Sequence, residues 1–136
     1  MRYLIIIGVC FMLFTAGCLG VGEEKSITKD VQGQTSSYKV TAVDLYKEYD
    51  ANSVAADQKY KDKIIQVSGK ICNIGEDITG VPYIILAGDE YGMMGVQCFF
   101  GDENVVAGFA KDQQITVKGK CDGMLINVFL RGCILQ

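Results

Sequence analysis

Four cysteines stand in the body of the chain, Cys72, Cys98, Cys121 and Cys133, and two more, Cys10 and Cys18, lie near its start. Thiols can ligate a metal, run redox chemistry, staple a fold or pack as small apolar groups. Zinc takes four ligands, usually in short paired knuckles. Here the gaps are long and irregular, and the chain has no histidine. A redox centre would want Cys-x-x-Cys, which is absent. No metal and no cofactor is therefore expected, and staples or buried thiols remain. The paired carboxylates Glu76-Asp77 and Asp89-Glu90 fall in turn-like stretches without the graded oxygen spacing of a calcium loop. Without histidine the usual general base near neutral pH is missing. No Gly-x-Ser-x-Gly elbow or phosphate loop occurs either. The expectation is a protein that is not an enzyme.

Which role the thiols take depends on where the chain resides, and its start speaks to that. Arg2 is the first charge and Glu23 the next, with 19 uncharged, mostly apolar residues from Tyr3 to Val21. A basic start, an apolar run and small residues at its end make a secretory signal. Thr15-Ala16-Gly17-Cys18 looks like the lipoprotein signal, in which small residues precede a cysteine that is cleaved and lipidated. Residues 1–17 then form the signal peptide and Cys18 is the lipidation site. An uncleaved membrane helix is the alternative, since about 20 apolar residues span a bilayer. Both readings anchor the protein to the cell membrane on its extracytoplasmic side, where disulfides persist. Without Arg2 the chain carries 12 basic and 16 acidic residues, a net charge near −4. Such a surface does not attract polyphosphate over its whole extent.

The chemistry-bearing residues must be positioned by the elements between. Residues 18–37 contain few large apolar groups and are expected as a flexible tether. Residues 38–136 are long enough for one domain with one core. Thr41-Ala42-Val43-Asp44 resembles a capping box, and Asn52-Ser53 can cap a second turn, so a helix or broken helix is expected over 41–60. From Ile65 the apolar period changes to two: Ile65, Val67, Gly69 and Ile71 predict a strand. Pro82 to Ala87 predicts a second, and Met94, Val96, Cys98 and Phe100 a third. Asp102 caps a short helix. Ile115, Val117 and Gly119 predict a fourth strand, Asp122-Gly123 a hairpin turn, and Ile126, Val128 and Leu130 a fifth. Five short strands are best protected by closing on themselves. The expected class is all-β with accessory helices: a five-stranded OB-fold Greek-key barrel, with a helix before strand one and a short helix between strands three and four.

Several pieces of this layout resemble the tRNA-anti-like family of OB-fold domains, often found on exported lipoproteins. They are Tyr60-Lys61, V-S-G-K at 67–70, D-I-T-G-V-P-Y at 77–83, G-V-Q-C-F-F at 95–100, I-T-V-K-G-K-C-D-G at 115–123 and N-V-F-L-R-G-C at 127–133. The resemblance covers roughly residues 41–135. It implies nucleic-acid binding by analogy of fold and supplies no catalytic residue. Cys72 departs from the family pattern.

An OB barrel presents its ligand with the face of strands two and three and the adjoining loops. Single-strand binders stack bases on aromatics and follow phosphates with basic residues. The candidates are Tyr83, Tyr91 and Phe99 for stacking, and Lys70, Lys118, Lys120 and Arg131 for phosphates. Lys70, Lys118 and Lys120 would form one stripe, because strands one and four pair; a solvated face is the plainer role. Tyr83 and Phe99 have packing under a helix as their plainer role. Strands three and five are neighbours in such a barrel, which makes Cys98–Cys133 the preferred disulfide, with Cys72 and Cys121 the other candidates. The function expected is a non-catalytic binding module for a protein or envelope ligand such as a glycan. The alternative is a binder of single-stranded nucleic acid or oligosaccharide.

Overall fold

The structure, a computed structural model, describes residues 21–136. The signal peptide and Cys18 lie outside the described residues. Helix α1 (Val21–Gly33) leads into a short strand, β1 (Tyr38–Thr41), then α2 (Ala42–Ala51) and α3 (Ser53–Tyr60). The barrel follows: β2 (Ile64–Glu76), β3 (Pro82–Ala87), β4 (Gly95–Phe99), the short helix α4 (Glu103–Ala107), β5 (Gln114–Met124) and β6 (Val128–Leu135). Neighbours run β2–β3–β4–β6–β5, and β5 pairs back onto β2, so five strands close and leave no edge among themselves. The pair β4–β6 is parallel and the other barrel pairs are antiparallel. β1 lies outside the cylinder, parallel to β2. This is the OB-fold expected from the strand pattern, with one extra strand.

Alternation decides what fills the interior. Ile65, Val67, Ile84, Leu86, Val96, Cys98, Val117, Cys121, Val128 and Leu130 point inward and are buried. Leu45 and Tyr49 of α2 join that core, as do Tyr60 of α3 and Val106 of α4. Helices α2, α3 and α4 start where the sequence caps them. The Thr41 hydroxyl accepts from Asp44 N–H at 3.1 Å, the Asn52 side-chain Oδ1 from Ala55 N–H at 3.1 Å, and the Asp102 carboxylate from Asn104 N–H at 2.9 Å. Gly69 lets α2 close on the strands: a Cβ there would stand 2.9 Å from the Ala42 methyl.

Two expectations are corrected. The stretch expected as a flexible tether contains α1, which packs on β6 and buries Val31 and Glu24. Its few apolar residues undersell it, because its main anchor is a carboxylate. The Asp122-Gly123 hairpin is not a hairpin. β5 runs through it to Met124, and the turn lies at Leu125–Asn127, closed by Leu125 N–H donating to Asn127 C=O at 3.1 Å. The positive φ of Gly123, +87°, serves an irregularity in the β5–β6 register instead. A Cβ on Gly123 would lie 3.2 Å from the Asp57 carboxylate of α3. Ile126, expected inside the fifth strand, stands exposed in the turn.

Candidate ligand-binding face

On β3, β4 and β6 the residues that do not face the core face outward together. Tyr83 pairs with Phe99, Ile85 with Gln97, and Gln97 in turn with Phe129. The rings meet edge to face: Tyr83 and Phe99 have centroids 5.9 Å apart, and Phe99 and Phe129 5.4 Å. Such contacts suit the aromatic quadrupole. The Arg131 guanidinium lies over the Phe99 ring at 4.0 Å and near Phe129 at 5.5 Å. Phe99 is thus buried beneath Arg131, Tyr83 and Phe129, while Tyr83, Gln97 and Phe129 are half-buried.

Acidic residues from two elements hold Arg131 in place. One Glu24 carboxylate oxygen accepts from Arg131 Nη1 at 3.0 Å, and the other from Gly132 N–H at 2.8 Å. Asp122 lies 3.6 Å from Arg131 Nε. Glu24 is 3% exposed and is the buried charged residue among those described. Burial pushes its carboxyl above the ordinary value of 4.5, against the opposing pull of Gly132 N–H and Arg131. Beside it opens a groove of about 500 Å³ between α1, the β2–β3 loop and β5–β6. Its charged lining is Glu23, Glu24, Asp62, Asp77 and Asp122 against Lys120 and Arg131. Burial works against ionising Asp77, but bonds from the Thr79 hydroxyl at 2.7 Å, the Val81 N–H at 3.0 Å and the Thr79 N–H at 2.8 Å outweigh it, and its carboxyl lies below the usual range.

The sequence candidates separate on this frame. Tyr83, Phe99 and Arg131 meet. Phe129 completes the group and was missed, although its place two residues before Arg131 puts it on the same strand face. Glu24 was missed with no signal to find it. Lys118 and Lys120 share the outer face of β5 and Lys70 continues it on β2, since Gln66 pairs with Lys118 and Lys70 with Gln114. That stripe is partly engaged: Lys118 donates to Gln34 C=O at 2.9 Å, and Lys70 pairs with Asp112 at 3.4 Å in solvent. Tyr91 is not in the group. It stands exposed in the β3–β4 loop beside Val43 and Tyr46 of α2, at the opposite end of β3 from Tyr83.

All four cysteines of the body carry free thiols. Cys98 and Cys133 lie side by side in the core. Cys98 pairs in register with Leu130, whose carbonyl accepts from the Cys133 thiol at 3.4 Å. Burial, then Cys98, pushes the Cys133 thiol well up. Cys72 donates to Ile85 C=O at 3.3 Å. Cys121 meets the Tyr49 hydroxyl at 3.4 Å, which also donates to Asp57 at 3.0 Å.

No curated protein matches the chain. Among solved structures it is similar to a "putative nucleic acid-binding lipoprotein" from Klebsiella pneumoniae subsp. pneumoniae MGH 78578. The two share 18% identity at a TM-score of 0.57, over 79% of this chain and 96% of the other. At that identity the likeness concerns the fold. The tRNA_anti-like family model matches residues 1–134, the barrel is closed, and the chain belongs to that family.

Proposed function

We propose that the protein is a non-catalytic binding module, anchored at the membrane and facing away from the cytoplasm, that holds a short single strand of nucleic acid on the outer face of β3, β4 and β6. The observation that carries this reading is the meeting of Tyr83, Phe99 and Phe129 on the face that OB barrels give to ligands. Every base has a π-face, so stacking needs no sequence motif and contributes about 1–3 kcal/mol per base. Lys120, with Lys118 beyond it, borders the face and supplies the cations for a phosphate track. The family match and the fold of the Klebsiella protein support the same reading. Lipidation at Cys18 accounts for the anchor, with an uncleaved helix as the alternative.

A second reading has its own observation. The groove beside the aromatics is lined by five acids and two bases, which favours an uncharged chain such as an oligosaccharide over a polyanion. Fluorescent single-stranded DNA, titrated at low and at physiological salt, separates the two. Binding that weakens with salt, and that drops on Tyr83→Ala, supports the nucleic-acid reading. No binding at either salt, with retention of a neutral oligosaccharide on a glycan array, supports the second.

A further inference from the structure

The Phe99 face already has an occupant. A planar, delocalised guanidinium lies where a flat ring would stack, and it belongs to the chain itself. Arg131 is held there from α1, because Glu24 accepts from both Arg131 and Gly132 N–H. The helix is fitted closely to this spot. A Cβ on Gly132 would fall 2.5 Å from Ile27 and 2.7 Å from the Thr28 nitrogen.

We propose that α1 is a strap across the ligand face: Glu24 keeps Arg131 on Phe99, and a ligand ring that stacks there takes the place of Arg131 and frees α1. The inference rests on the reading of this face as the nucleic-acid site. Displaced, Arg131 can pair with the incoming phosphate, a charge-assisted bond like the one it gives up. Glu24 is then a carboxylate with little water around it and one partner lost, an arrangement that burial penalises. Lifting α1 returns it to water. Ligand and docked helix therefore oppose one another, and by linkage each weakens the other equally. With Cys18 in the membrane, the docked state leaves three residues from Cys18 to the start of α1 at Val21, a reach of about 10 Å, and release with α1 unwound extends the leash to Tyr38, up to about 70 Å. The strap would couple capture of a strand to how far the barrel stands from the bilayer.

Hydrogen exchange on the full-length chain in detergent micelles tests this, with and without saturating oligothymidylate. The amides of residues 25–33 should lose protection when the oligonucleotide is bound, while those of β3 and β4 gain it. Glu24→Ala, which removes the acceptor of both Arg131 and Gly132 N–H, should bind the oligonucleotide roughly 5-fold or more tightly. Unchanged protection of α1 in the bound chain, or unchanged affinity in Glu24→Ala, overturns the strap and leaves the binding face standing. Absence of binding by both chains overturns the face and the strap together.

Discussion

At the scale of single residues, Glu24 carries the sharpest expectations. Glu24→Ala leaves the Gly132 N–H without its acceptor under α1, which should cost about 1–3 kcal/mol in urea unfolding. Glu24→Gln retains an acceptor and should stay close to the parent at neutral pH. The pH dependence has a definite sign. The folded carboxyl titrates above the ordinary 4.5, so between those values the native state holds a proton that the unfolded chain has given up. Its contribution to stability is then fully present below pH 4.5 and is lost as pH rises through the folded value. The melting temperature of the parent minus that of Glu24→Gln should fall from pH 4 to pH 7. A rise over the same range would mean that Arg131 and Gly132 dominate over burial.

At the scale of elements, α1 and the β4–β6 seam decide behaviour. Gly132 adopts φ +61° directly beneath α1. Gly132→Ala strains the backbone by about 1–3 kcal/mol and pushes on the Ile27 side chain and on the helix backbone at Ile27 and Thr28. Trypsin should then cut at Lys25 and Lys29 faster than in the parent, with the barrel intact; equal rates would show α1 held by other contacts. The seam holds Cys98 beside Cys133. Under oxidising conditions these two free thiols are the pair expected to join, adding about 3–4 kcal/mol in the chain-entropy model. Non-reducing peptide mapping would show it, and alkylation of both thiols in unreduced, denatured protein would refute it. The barrel was legible in the chain because alternation at Ile65–Ile71, Val96–Phe100 and Ile115–Gly119 reports one buried face per strand, and the capping residues Thr41, Asn52 and Asp102 speak locally. Asp122-Gly123 misled because a positive φ serves a bulge as well as a turn. β1 and α1 were hidden for another reason. β1 is four residues long and gains its order from pairing with β2, and α1 is fixed by Glu24 meeting Arg131, 107 positions away. No local window contains such a contact. The site divided likewise: Tyr83, Phe99 and Arg131 followed from strand phase, while the clasp that covers them did not.

At the scale of the molecule, charge sets how any polyanion must bind. A chain near −4 without Arg2, with an acidic groove beside its aromatic face, gains little from long-range attraction. Affinity for single strands should come mainly from stacking, with two or three phosphate contacts. The logarithm of the binding constant should then fall with the logarithm of salt at a slope of about −2. A slope several times steeper would point to a track away from Tyr83 and Phe129. The most direct measurement is nuclear magnetic resonance of the aromatic protons of the full-length chain as oligothymidylate is added at low salt. Tyr83, Phe99 and Phe129 should shift together and saturate at one concentration, while Tyr91, at the far end of β3, stays in place. Shifts confined to Tyr91, or no aromatic shift under conditions where the oligonucleotide is bound, would contradict the account.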